Sequence, residues 1–494
     1  MLSSLLTATL FGLDACQVHV EVDVSHGLPH FKMVGLPDAS VRESRDRVKA
    51  AIRNAGFGFP SQRVTVNLAP ADLRKAGSSF DLPIALGILA ASGVVHRRYV
   101  PEIVLLGELA LDGGIHPARG ALPIAAAARR AGLAAILLPR ANAGEAAIVE
   151  GLRVLPVESL VQAVAALNHP DRAIVGLAPP APRVDTHAGD FADVRGQALA
   201  RRALEIAAAG GHNALMVGSP GTGKTMMARR LAGILPALTL DEALEVTAIH
   251  SVAGLLPVNG GLVITRPFRA PHHTVSDAAL VGGGAIPRPG EISLAHHGVL
   301  FLDEMPEFGR RVLEVLRQPL EEGCARIART ARTAVFPARF MLVAAMNPCP
   351  CGFLGDPIRA CRCTPAQIDR YAGRISGPLR DRIDLVVQVA PVPARTLGEA
   401  GLGEASTAIR DRVSAARGRQ VNELNARLEG RALREHARPD AAGARLLEQA
   451  AERFGLSARG HDRVLRVSRT IADLAGAPAV TREHIAEALQ FRLN

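Results

Sequence analysis

Along its first third the chain switches between two hydrophobic periods. Val18 to Val24 (VHVEVDV) alternates apolar and polar residues, which predicts a half-buried strand. Residues 37–56 (PDASVRESRDRVKAAIRNAG) form an amphipathic helix, with Asp38 in the N-cap region and Gly56 past the end. RVTVNLAP (63–70) reads as a strand, and FDLPIALGILAASG (80–93) as an apolar helix. IVLLGELA (103–110) and LAAILLP (133–139) are buried-strand patterns, with the helical IAAAARRAG (124–132) between them. This interleaving predicts one α/β domain over residues 1–169. Residues 170–188 contain Pro-Pro-Ala-Pro and read as a linker.

A second α/β unit spans 189–392. Its buried strands are NALMV (213–217), VLFL (299–302), FMLVAAM (340–346) and DLVVQV (384–389). More residues separate the first two than one helix–strand return requires. The excess, 266–298, is rich in Gly, Pro and His and reads as an insertion with mobile loops. From 393 to 494 the period is helical. Leu456, Val464, Leu465, Val467, Ile471 and Leu474 share an apolar face, and Thr481 opens a T-x-x-H approximation to a capping pattern.

Candidate chemistry sits at the strand ends. After NALMV comes GSPGTGKT: Gly218, Ser219, Pro220, Gly221, Thr222, Gly223, Lys224 and Thr225, followed by a helical segment. Glycines let such a loop wrap a phosphate chain with its N–H groups turned inward, at a helix N-terminus. Lys224 would reach the outer phosphates of ATP, and the Thr225 hydroxyl would hold Mg²⁺. VLFLDE ends in Asp303, a second Mg²⁺ position, and Glu304, which would polarise an attacking water. Asn347, closing the next strand, is placed to orient that water; the plainer reading is a turn residue before Pro348.

Arg382 would point toward a neighbour's nucleotide, or else pair with Asp381 or Asp384. Arg459 and Arg463, one helical turn apart, would reach back to the phosphates, or else form a solvated basic face. ARIARTARTAVFP (325–337) predicts a hairpin with Arg326, Arg329 and Arg332 at its tip. Cys349, Cys351, Cys361 and Cys363 form two C-x-C pairs, a set that can converge on a structural Zn²⁺. A redox pair or four inert thiols is the alternative. The pairs His272–His273 and His296–His297 offer a metal site, although hydrogen bonding is the commoner use of such pairs.

Composition narrows the partners. A net charge of +10 over 494 residues favours an anionic partner, nucleic acid foremost. With no Trp and two Tyr, stacking platforms are scarce, so the grip would be mainly on phosphates. No run is long enough for a membrane helix, the apolar start lacks a basic n-region, and the six Cys make no secreted disulfide framework. The expectation is therefore a cytoplasmic chain.

Two resemblances follow from longer strings. AGSSFDLPIALGILAASG and LLGELALDGGIHPARGALPIAAAARRAG resemble the proteolytic domain of Lon proteases. Ser79 falls where that family's nucleophile stands, but Leu122 and Ile124 occupy the region of its lysine. A Ser hydroxyl without an adjacent base is a weak nucleophile, so the expectation is a Lon-like fold without peptidase activity, Ser78 and Ser79 serving as turn or cap residues.

Nearly the whole chain is similar to the ComM/YifB family of Mg-chelatase-like AAA+ ATPases. The match rests on VGLPDASVRESRDRVKAAI, GSPGTGKT, RPFRAPHHTVS, PGEISLAHHGVLFLDE, AAMNPCPCG, ACRCTPAQI and SARGHDRVLRVSRTIADL. The resemblance implies a P-loop AAA+ module with a helical lid, preceded by the Lon-like α/β domain. It also implies a hexameric, ATP- and Mg²⁺-dependent DNA motor that promotes branch migration during recombination, notably in natural transformation. Lys224 and Thr225 become Walker A residues, Asp303 and Glu304 Walker B, Asn347 the first sensor, Arg382 the trans finger and Arg459 the second sensor. Arg380 stands where an apolar residue is expected, so Arg380 and Arg382 both stay open as the finger. The other functional class left open is a chelatase-type ATPase that remodels a protein partner.

Overall fold

A computed structural model of the chain describes residues 1–73, 75, 77–96, 102–169, 189–258, 260–284, 287–328, 333–392, 403–421 and 423–492. The expected linker, 170–188, lies outside the described residues, as do Arg329 and Arg332 of the expected hairpin tip.

The apolar start is a strand. β1 (Leu2–Phe11) pairs antiparallel with β2 (Asp14–Ser25) around Gly12, whose φ of +67° suits a residue without a side chain. β3 (His30–Val34), β4 (Arg63–Ala69), β5 (Ile103–Leu105), β6 (Ala135–Pro139) and β7 (Arg153–Val157) complete a seven-stranded sheet in the order β3-β4-β2-β1-β5-β6-β7. The alternation in β2 sends Val18, Val20, Val22 and Val24 into the core. There they meet α2 (Asp81–Ala91), apolar on all sides and buried throughout, as a helix packed on every face must be. A side chain at Gly87 would strike Val22 at 2.7 Å, so glycine permits this close approach. α1 (Ala39–Asn54) starts where expected: Asp38 accepts from the Val41 N–H at 2.9 Å.

The second sheet has five parallel strands: β8 (Ala214–Val217), β9 (Phe268–Arg269), β12 (Val299–Leu302), β15 (Met341–Met346) and β16 (Leu385–Gln388). Their order is β9-β12-β15-β8-β16. β12 and β15 are wholly buried, which explains their unbroken apolar runs. The expected insertion, 266–298, carries short ordered elements, β9 among them, and the segment before it is helical. That segment holds α6 (Leu240–Ala253), capped by a reciprocal Thr239–Glu242 box, and the insertion holds a small hairpin of β10 (Gly282–Gly283) and β11 (Arg288–Pro289).

The predicted arginine hairpin exists as β13 (Cys324–Ala328) and β14 (Thr333–Pro337). Arg326 is not at its tip, however. It faces Val335 within the ladder and pairs with Glu322 at 2.9 Å. The β1–β2 turn rests on this hairpin: a side chain on Gly12 would come within 3.3 Å of Val335 O.

The remaining core is helical. α4 (Ala198–Gly210) and α5 (Lys224–Ile234) pack with α7 (Ser406–Arg417), α8 (Ala441–Phe454), α9 (Ala458–Leu474) and α10 (Arg482–Gln490). Val464, Leu465, Val467 and Ile471 are buried in that core, with Leu456 and Leu474 against it. The Thr481 N–H donates to His484 Nδ1 at 3.0 Å, completing the cap. α3 (Ala121–Arg130) of the first sheet packs on α6 of the second unit. There Glu145 accepts hydrogen bonds from Ser251 and Asn142, and burial pushes its carboxyl above the usual range.

Candidate nucleotide site

The loop Gly218–Gly223 joins β8 to α5. Gly218 tolerates no side chain, since a Cβ would lie 2.3 Å from Val389 O. Gly221 and Gly223, at φ of +80° and +89°, adopt backbone that L side chains rarely take, and Gly221 faces open space. Such a cradle admits phosphate oxygens close to backbone N–H groups. The Thr222 hydroxyl donates to Ser219 O at 2.9 Å and braces the turn.

Three parallel strands end here together. The loop leading to Lys224 follows β8, Asp303 and Glu304 follow β12, and Asn347 follows β15. The carboxyl edge of such a sheet is where α/β folds hold ligands. The Thr225 hydroxyl donates to Asp303 Oδ2 at 2.6 Å, so the two expected Mg²⁺ ligands are already in contact. Lys224 Nζ donates to Gly218 O (2.6 Å), Ser219 O (2.9 Å) and Asn347 Oδ1 (3.3 Å). Burial lowers its pKa, partly offset by Asp303 and Glu304. A desolvated cation surrounded by neutral carbonyls is well suited to a polyanion.

Glu304 sits at φ +51°, a left-handed conformation uncommon outside glycine and a mark of functional strain. Its N–H donates to Asp303 Oδ1 at 3.0 Å, and its carboxylate is exposed. His273 Nδ1 stands 3.9 Å from Glu304 Oε2. The sequence showed His273 only as one of a pair, with nothing to tie it to a residue 31 positions away.

Arg382 and Arg459 are elsewhere. Arg382 O accepts from Asn213 Nδ2 at 2.8 Å, and Asn213 stands at the start of β8, about 15 Å of strand from the loop. Arg382 donates to Glu321 and to Pro378 O, and its buried Nε has no partner among the described residues. Desolvation lowers its pKa, reinforced by Arg317, Arg459 and Arg463. Arg380 instead donates to Ala372 O at 3.0 Å from an exposed position.

Arg459 and Arg463, expected to reach back to the phosphates, are held at the amino edge of the sheet in this chain. Arg463 is buried, donating to Asp381 at 3.1 Å and to Ile383 O at 3.4 Å, and this locks the start of α9 onto the amino edge of the sheet. Arg459 thereby lines the same recess as Arg382, with Asn213, Arg339 and Arg466. The recess encloses about 760 Å³.

The four cysteines converge. Cys349 Sγ lies 3.4 Å from Cys351 Sγ and 3.7 Å from Cys361 Sγ, and all four sulfurs fall within 4.8 Å of one another. The Arg362 and Phe353 backbone amides hold the Cys351 thiol down to about 6, while at Cys363 the lowering by the Cys351 N–H is outweighed by desolvation and the neighbouring thiols, which push it up to about 12.

His296 and His297 both bond to Glu245 at 2.8 Å. His296 Nδ1 accepts from the Arg339 N–H at 2.9 Å, so the neutral ring carries its proton on Nε2, the atom turned to Glu245. A metal at Nε2 would set two N–H groups against each other, so this pair serves as a hydrogen-bonded anchor.

In the other unit Ser79 lies in a 3₁₀ turn, Ser78–Phe80, just before α2, its carbonyl accepting from the Gly107 N–H, and Ser78 bonds to Glu108. Leu122 and Ile124 are buried in α3. Lys75, fully buried, donates to Pro70 O.

A parallel five-stranded sheet with a glycine loop after one strand, two acids after another and an amide between them defines a P-loop module of the AAA+ class. Comparison with known proteins narrows the class. The family described as "Magnesium chelatase, subunit ChlI" matches residues 190–397. "Subunit ChlI of Mg-chelatase" matches 20–142, and "Magnesium chelatase, subunit ChlI C-terminal" matches 403–492. The uncharacterised protein YifB of Salmonella typhimurium is 45% identical over 98% of this chain and 96% of its own length. YifB of Escherichia coli is 45% identical over 99% and 97%. Competence protein ComM of Haemophilus influenzae is 44% identical over 97% and 95%. The chain belongs to the ComM/YifB family of Mg-chelatase-like AAA+ proteins. Among the described residues no helix is long and apolar enough to cross a membrane.

Proposed function

We propose that this chain is a ring-forming ATPase that moves on DNA and promotes branch migration during recombination, in the setting of natural transformation. The observation that carries the motor is the division of the site. Lys224, Thr225, Asp303, Glu304 and Asn347 gather at one edge of the sheet, whereas Arg382 and Arg459 gather at the other. Arginines so placed cannot touch their own nucleotide. A closed head-to-tail ring, a hexamer by family resemblance, brings them to a neighbour's.

In this reading the glycine loop and Lys224 grip the phosphates, and Thr225 with Asp303 holds Mg²⁺, which neutralises phosphate charge when bound. Glu304 takes a proton from water that Asn347 orients. Arg382 and Arg459 of the adjoining subunit stabilise charge at the outermost phosphate. The four cysteines hold a structural Zn²⁺.

DNA as the track is supported by the name of the ComM relative, by the net charge of +10 and by the arginine hairpin. The test is ATP turnover with and without single-stranded and branched DNA, beside a Lys224→Ala control. DNA stimulation lost in that control is the expected result. A rate indifferent to DNA would favour remodelling of a protein partner instead.

A further inference from the structure

We propose that the four-cysteine cluster is a zinc strut for the nucleotide site: Zn²⁺ on Cys349, Cys351, Cys361 and Cys363 holds the phosphate loop and Asn347 in register. This rests on the ATPase and zinc readings above and adds a dependence of nucleotide handling on metal occupancy.

The sulfur geometry fits the ion. Four ligands about 2.3 Å from a tetrahedral centre lie about 3.8 Å apart. The separations of Cys349–Cys351, Cys349–Cys361 and Cys351–Cys361 are 3.4, 3.7 and 3.7 Å. They are far longer than the about 2.05 Å of a disulfide. Backbone amides point at the sulfurs, Cys351 N–H to Cys363 Sγ and Cys363 N–H to Cys361 Sγ, both at 3.4 Å. Amides so aimed orient ligating thiolates and temper their charge.

Residues 349–363 contain no helix or strand, and Leu354 and Ile358 lie exposed. Only Cys349 and Gly352 of the segment are buried. So little apolar burial does not offset the entropy of ordering fifteen residues, at about 1–2 kcal/mol each. A metal cross-link supplies what the packing lacks.

The segment is seated on the phosphate loop. Gly352, at φ +85°, approaches so closely that a Cβ there would lie 2.6 Å from Pro220 Cδ and 3.9 Å from Asn347 Cγ. Asp356 accepts hydrogen bonds from the Ile358 and Arg359 N–H groups at 2.9 Å and also bonds the Ser219 side chain. Cys349 follows Asn347 by two residues and is fully buried. One thiol cluster thus fixes both the roof of the phosphate cradle and the residue that orients water.

The test begins with elemental analysis of the purified full chain. One zinc per chain is expected; no zinc, or iron as the bound metal, overturns the assignment. Zinc is then released with a mercurial reagent and followed with a metallochromic dye, while binding of a fluorescent ATP analogue and ATP turnover are recorded together. Binding and turnover should fall in step with release, turnover by about 10²-fold. Zinc loss that leaves both unchanged overturns the strut. Gly352→Ala, which keeps all four thiols, should retain one zinc yet weaken nucleotide binding; unaltered binding counts against the coupling. If the zinc-loaded parent binds the analogue but never turns over ATP, the ATPase reading fails, while the binding arm still decides whether zinc supports the phosphate loop.

Discussion

The two edges of the five-stranded sheet have opposite characters. At the carboxyl edge a buried lysine is surrounded by oxygens, with Asp303 and Thr225 in contact. At the amino edge Arg382, itself desolvated, crowds against other arginines, and among the described residues the buried Nε atoms of Arg382 and Arg317 have no partner. One edge presents a cradle for an anion and its metal; at the other the arginines lean on carboxylates, Arg382 on Glu321 and Arg463 on Asp381. Neither is a complete catalytic site. On the reading proposed above, the unit of catalysis is a pair of chains, each contributing one edge.

The largest effect should come from removing the donated cation. Arg382→Ala is expected to lower ATP turnover by about 10³–10⁵-fold with nucleotide affinity little changed. Mixed with Lys224→Ala chains it should regain turnover, because one interface in the mixture joins two intact edges; no recovery would break the pairing. Arg380→Ala should stay near the parent rate, since its guanidinium is tied to Ala372 O. Next, Glu304→Gln should cost about 10²–10⁴-fold in turnover while binding persists, as measured by equilibrium titration. Arg459→Ala should cost about 10²-fold. Turnover lost there without any recovery by mixing would return Arg459 to a role in folding.

The smallest effect is one of stability and belongs to the amino edge alone. Desolvation and the neighbouring His297 lower the pKa of His296 to about 4. The unfolded chain takes up that proton near pH 6.5 and the folded chain only near 4. Stability is therefore full above pH 6.5 and declines as pH falls toward 4, by about 3 kcal/mol in all. Thermal unfolding across pH 4–7.5 should show this slope, flattened in His296→Gln.

The carboxyl edge was legible in the sequence because each part is contiguous: an apolar strand, then its polar terminus. GSPGTGKT and VLFLDE carry their own context. The amino edge was not, because Asn213, Arg339, Arg382 and Arg459 are far apart in the chain and meet only through tertiary packing. The direction of α9 depends on Arg463 reaching Asp381 and Ile383 O, which no periodicity reveals. His273 stayed hidden for the same reason. The opening strand β1 lacks clean alternation, since its middle is buried on both faces, and the short elements within 266–298 were masked by its Gly- and Pro-rich composition. The C-x-C pairs announced convergence but not their seat on Pro220, which depends on the left-handed turn at Gly352.

Asn213 gives the sheet a mechanical property. Its side chain donates to Arg382 O and accepts from the Leu342 N–H, both at 2.8 Å, while its own N–H donates to Asp384 at 3.1 Å. One residue thus rivets the roots of β8, β15 and β16. A tug on Arg382 from the adjoining subunit cannot be absorbed where it arrives. If the proposed ring holds, that pull travels down β8 as along a push-rod toward Gly218, and the stiffness of one chain's phosphate loop becomes coupled to its neighbour's turnover.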